Sequence, residues 1–164
     1  MLLHRSLLIA TGLSLVSLVA LADPLHIEHA QVRAVPPSSQ ASAAFMTLNN
    51  SGEQDVVLVS ARSPAADVME LHNHEDVDGV MQMRKVPEIV VPTGGAVELA
   101  PGGLHLMLIG LTAPLVEGEP VEIELIFASG ESQLFEAPVQ RITVEGGKHH
   151  GHGEQEKHEH QHAH

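Results

Sequence analysis

Between residues 27 and 144 the apolar positions recur with a period of two, in runs of about five to eight residues separated by turn-forming clusters. The segment Leu104-His105-Leu106-Met107-Leu108 shows the pattern most clearly. Its three leucines share one parity, while His105 and Met107 share the other. In a β-strand that alternation sends the leucines into a core and sets an imidazole beside a thioether on the opposite face. The pattern predicts strands over 27–35, 43–49, 55–61, 68–72, 80–86, 96–100, 104–111, 121–127, 132–136 and 139–144. Pro36-Pro37-Ser38-Ser39, Asn50-Ser51-Gly52, Asp78-Gly79, Pro92-Thr93-Gly94-Gly95, Pro101-Gly102-Gly103, Gly118-Glu119-Pro120 and Ser129-Gly130 supply the turns. No long amphipathic helix fits after residue 22. Short strands at this spacing predict an all-β single domain, a β-sandwich or Greek-key barrel. With no Trp or Tyr, the core falls to aliphatic residues and to Phe45, Phe127 and Phe135. Met46 and Met69 read as core filler.

The two ends depart from this pattern. Residues 1–22 carry His4 and Arg5, an apolar stretch from Leu7 to Leu21, and Ala20-Leu21-Ala22. That reads as an export signal with cleavage before Asp23, too short an apolar run to be a membrane anchor. The domain then spans 23–146. A tail over 147–164 holds seven of the thirteen histidines and almost no apolar side chain, so it is expected to be disordered and to gather Cu(II).

Charge and composition narrow the chemistry. With 21 acidic against 8 basic residues, the chain is a poor partner for nucleic acid. There is no cysteine, which leaves the fold to its core alone and excludes every thiolate metal site, the blue-copper electron-transfer centre included. No nucleophile–base pair and no cofactor loop point to an enzyme.

What remains is a set of uncharged soft and intermediate donors: His72, then ten residues to Met83, twenty-one to His105 and one to Met107. A thioether stays unprotonated in water and favours Cu(I) over hard cations. His72, Glu70 and Val68 share a parity, as do Met81 and Met83. A four-residue loop places His72 opposite Met83 in an antiparallel hairpin, whereas a tighter Asp78-Gly79 turn places His74 there. His74 therefore stands as an alternative ligand and Met81 as a spare thioether. Glu70 is placed to orient the His72 ring. His26 and His29 read as surface residues.

These residues resemble the signature of PCuAC-type periplasmic copper(I) chaperones. The words Met69-Glu70-Leu71-His72, Asp78 to Arg84 and Pro101 to Leu111 are similar too, as are Ala30-Gln31-Val32-Arg33 and the strand containing Ala44 to Leu48. The resemblance covers essentially the whole domain. It implies a cupredoxin-like β-barrel without the cupredoxin cysteine, with His72, Met83, His105 and Met107 as Cu(I) ligands. It further implies a periplasmic location and delivery of copper for the CuA centre, with cytochrome c oxidase subunit II or a Sco-type protein as acceptor. The competing expectation is a periplasmic copper or zinc buffer, or a copper-tolerance protein, working through the His-rich tail.

Overall fold

The computed structural model describes residues 25–142. Ten strands follow one another along them: β1 (His26–Arg33), β2 (Ala41–Asn49), β3 (Val56–Arg62), β4 (Ala66–Val77), β5 (Val80–Lys85), β6 (Ile89–Val91), β7 (Ala96–Leu99), β8 (His105–Leu111), β9 (Pro120–Phe127) and β10 (Ser132–Gln140). Their hydrogen-bonded order is β5-β4-β8-β2-β1-β10-β9-β3-β6, and β7 pairs with β2 beside this path. One layer holds β5, β4, β8, β2, β1 and β7; the other holds β10, β9, β3 and β6. The all-β, cupredoxin-like sandwich expected from the alternation is the fold observed.

The inner faces meet in one core. Leu48, Leu106 and Leu108 come from the first layer, and Leu58, Ile123 and Leu125 from the second, all fully buried. Each such side chain contributes about 1.5–3 kcal/mol on leaving water. Met46 and Met69 belong to this cluster, as expected of core-filling methionines. Phe127 belongs to it and Phe135 packs against it half-buried. Phe45 does not join it: its parity puts the ring on the opposite face, buried there against His105 at a centroid distance of 6.2 Å.

Three details differ from the sequence pattern. The strand expected over 68–72 starts at Ala66 and runs on to Val77, because β5 takes over the pairing at His72, where the β8 ladder ends, and satisfies a backbone whose side chains are polar. The expected pair 132–136 and 139–144 is one strand, β10, within the described residues. Pro138 faces Pro120, Val139 N–H donates to the Glu119 carbonyl at 2.9 Å on the β9 side, and pairing with β1 begins only at Val139, so the missing Pro138 N–H breaks no ladder. The three-residue β6, set between Pro87 and Pro92, was too short to show a period.

One interruption of the ladder shapes the outer face. β7 and β8 pair along the same edge of β2, Leu99 opposite Met46 and Leu106 opposite Ala44. Between them the chain leaves the ladder over Ala100-Pro101-Gly102-Gly103-Leu104. Gly102 turns it with φ +88°, a left-handed conformation that glycine adopts at little cost, and Gly103 N–H donates to the Ala100 carbonyl at 3.0 Å. The loop stands out from the outer face of the first layer.

Candidate metal centre

Antiparallel neighbours project to the same side of a sheet, so the register fixes which side chains meet. Leu71 faces Leu106 on the core side. On the outer side His72 faces His105 and Glu70 faces Met107, while Ala43 of β2 faces Met107 from the other flank. β5 adds Met83 opposite His74, Lys85 opposite His72 and Met81 opposite Asp76. The hairpin turn is the tighter of the two alternatives. Asp78 and Gly79 occupy it with φ of +56° and +81°, both positive as a two-residue primed turn requires, and Val77 pairs with Val80. Met83 therefore lies directly across from His74, one pair of residues along from His72.

The three histidines form a cluster. The ring of His105 lies 5.8 Å from that of His72 and 5.1 Å from that of His74, the latter stacked. His105 is 2% exposed, and its Nδ1 lies 2.9 Å from the Gly103 carbonyl oxygen. A carbonyl only accepts, so Nδ1 carries the proton and Nε2 keeps its lone pair. His72 is held by the same logic with the nitrogens exchanged. Its Nε2 lies 2.8 Å from Glu70 Oε2, which leaves the lone pair on Nδ1. That Nδ1 is buried and has no partner, and the same holds for Nδ1 of His74. A buried polar atom without a partner is rare and costly; here the unpaired atoms are imidazole nitrogens on one face. A ligand histidine whose other nitrogen is tied to a carboxylate or backbone carbonyl is the usual arrangement around a metal.

Burial favours a neutral ring at His105. Burial pushes the His105 imidazole below its ordinary range, outweighing the Gly103 carbonyl that acts the other way; His74, His72 and Arg33 add smaller repulsions. A neutral imidazole is the ligand form. Lys85 Nζ, 2.8 Å from Glu70 Oε1, and then His72 hold the Glu70 carboxyl below the usual carboxylate range. The orienting group thus stays an acceptor.

Two thioethers lie beside the rings. A small cavity of about 70 Å³ opens between the hairpin and the loop that precedes β8, lined by His74, Met83, His105 and Met107, with Arg33 and Phe45 at one side. Three of the four residues singled out by spacing share it. His72 stands outside its lining, against His105. Among the described residues no three His, Asp or Glu side chains are grouped so as to hold a metal ion. Met81 is 57% exposed and lies outside the cavity lining. His26 is exposed beside Glu28 at 3.3 Å, away from the site, and His29 occupies the bulge in β1 with φ +53°. The histidine-rich tail lies outside the described residues. Sequence spacing missed Arg33 and Phe45; their parity along β1 and β2 was the available signal, since it puts both on the outer face.

Comparison with known proteins agrees with the fold. The family described as "Putative lipoprotein LpqE-like" matches residues 25–139. A relative from Leifsonia xyli subsp. xyli, "Putative lipoprotein Lxx21020", is 34% identical over 120 residues, 73% of this chain and 71% of its own. The solution structure of CuI-DR1885 from Deinococcus radiodurans is 37% identical, covering 74% of this chain and 82% of that one, with a TM-score of 0.61. The copper-bound PCuAC domain from PmoF2 superposes with a TM-score of 0.62 over 75% of this chain and 97% of its own; at 21% identity that likeness speaks for the fold. The chain belongs to the LpqE-like family and shares the fold of PCuAC domains.

Proposed function

We propose that this member of the LpqE-like family is a copper chaperone that binds Cu(I) through His72, Met83, His105 and Met107. The observation that carries the reading is a pair of imidazole nitrogens left without hydrogen atoms, Nδ1 of His72 and Nε2 of His105, on the same sheet face as two thioethers. Neutral nitrogen and thioether donors suit a soft monovalent ion better than hard divalent ones. A relative solved as CuI-DR1885 supports the same reading. Ligand exchange does the transfer. Uncharged donors hold the ion firmly enough to carry it, and the charged, softer thiolates of an acceptor such as cytochrome c oxidase subunit II or a Sco-type protein draw it away.

X-ray absorption on the Cu(I)-loaded domain tests the ligand set. Two sulfur and two nitrogen neighbours are expected, and a shell of nitrogen and oxygen alone rules the proposal out. His74 offers a second set, favoured by its place in the cavity lining and its position opposite Met83. Separate His72→Ala and His74→Ala variants decide between the sets, since only loss of a true ligand removes a nitrogen neighbour. A preference for Zn(II) over Cu(I) under reducing conditions would instead favour a metal buffer.

The same proposal places the protein in the periplasm, with residues 1–22 removed as an export signal and 147–164 collecting Cu(II) near the domain. A tethered second site raises the local concentration of ion. Mass measurement of the exported protein checks cleavage before Asp23. Deleting residues 148–164 is expected to lower copper stoichiometry while sparing Cu(I) affinity, and unchanged stoichiometry removes the tail from the scheme.

A further inference from the structure

We infer that Arg33 sets the charge selectivity of the site, its guanidinium favouring a monovalent ion over a divalent one. This rests on the proposed copper-binding reading and goes beyond its ligands. Arg33 ends β1 on the outer face, and Ala43 and then Met107 follow it across the next two strands. Strands lie about 4.8 Å apart, so Arg33 and Met107 start about 10 Å apart with only a methyl group between them. The small Ala43 leaves room for the cavity that Arg33 lines together with His105 and Met107.

The guanidinium is held there. Its central carbon lies 5.4 Å from the centroid of the Phe45 ring, a cation–π arrangement, and that ring packs in turn on His105. Its Nε is buried with no hydrogen-bond partner. Among the described residues no carboxylate lies within ion-pair distance of Arg33. Of the other charges on this face, Glu70 and Lys85 are paired at 2.8 Å, while Asp76, opposite Met81, and Glu28 and Glu98, both opposite Thr47, form no ion pair with Arg33. An unbalanced positive charge therefore faces the place where the proposed cation sits.

Repulsion grows with the charge of the ion. At about 10 Å and an effective dielectric near 20, each unit of ionic charge costs roughly tenfold in affinity. A divalent ion bears that cost twice, so the ratio of monovalent to divalent affinity rises roughly tenfold.

The experiment uses the full chain and two metals, Cu(I) under anaerobic reductant and Zn(II), each titrated against a chromophoric chelator. Arg33→Gln is expected to shift the Cu(I)-to-Zn(II) affinity ratio about tenfold towards Zn(II), and Arg33→Lys to leave it near the wild-type value. The Cu(II)/Cu(I) potential of the loaded Arg33→Gln protein should fall by about 59 mV, the same tenfold change for a one-electron couple. An unchanged ratio in Arg33→Gln, or an Arg33→Lys protein that behaves like Arg33→Gln, overturns the inference. Arg33→Met provides a second uncharged side chain should the glutamine variant fold poorly. Wild-type protein that fails to bind Cu(I) overturns the functional proposal itself, an outcome the same titration separates from the others.

Discussion

Replacing Glu70 with alanine tests the site without touching a proposed ligand. The Glu70 carboxylate accepts from His72 Nε2 at 2.8 Å and fixes which ring nitrogen keeps its lone pair. Without it the two neutral tautomers compete, which alone costs about a factor of two. The ring also loses the contact that sets its orientation, and loss of such an orienting group costs about 10–100-fold in metal affinity. Cu(I) affinity should therefore fall by roughly that range, read by competition against a chromophoric Cu(I) chelator under anaerobic conditions. Glu70→Gln keeps an acceptor oxygen and should lose less than about tenfold. Removal also frees Lys85, whose ammonium lies 2.8 Å from Glu70 Oε1, so Lys85→Gln serves as the control. Its affinity should stay within about twofold of wild type, because the side chain is exposed and screened. Wild-type affinity in Glu70→Ala, with the thermal melt of the apoprotein unchanged, would refute the view that this carboxylate prepares His72 as a donor.

Met107→Leu keeps the volume and removes the sulfur, so Cu(I) binding should weaken more than Zn(II) binding while the melting temperature holds; equal losses contradict a thioether site. Leu106→Ala empties a fully buried position on the opposite face of the same strand. It should cost about 2–5 kcal/mol in urea unfolding of the apoprotein. Gly110 has φ +69°, and a Cβ there would sit 2.5 Å from Asp67 Oδ2. Gly110→Ala should therefore destabilise by about 1–3 kcal/mol, with part recovered when Asp67 is also replaced by glycine. The His105 imidazole has a folded pKa below its ordinary 6.5. The unfolded chain takes up that proton more readily, so this group costs the apoprotein stability as pH falls below 6.5 towards the folded value and changes nothing above it. Urea midpoints across that window, compared with those of His105→Phe, check the sign.

The alternation of apolar and polar residues was enough to place the leucines of β8 inside and its His105 and Met107 outside, because a period of two leaves one face per parity. It gave most strands to within a few residues. It split β10 at Pro138, where the lack of an N–H reads locally as a break; the ladder shows that the missing N–H falls on the side where pairing with β1 has not yet begun. The hairpin register was open in the sequence since two loop lengths fitted the same residues. Pairing of Val77 with Val80 decided it and brought His74 opposite Met83. That β4 and β8 lie side by side, the condition for one site rather than two half-sites, depends on the order of strands across the sheet, which no local pattern encodes. Arg33 went unnoticed because it is distant in sequence and joins the site only through the intervening β2.

Met83 differs from the other proposed donors in where it is anchored. His72, His105 and Met107 hang from interior strands with neighbours on both sides, but β5 is the outermost strand and pairs with β4 alone. Met83 is 48% exposed upon it. Of the proposed donors its backbone has the fewest ties, so its sulfur is the donor to swing away before the rest of the cluster moves. In the proposed handover an acceptor approaching from this flank would meet the half-open side of the ion, with the His105 and His72 rings behind it. The proposed handover would thereby gain a direction: the cargo would leave past the rim of the hairpin, and the barrel behind it would stay intact for the next load.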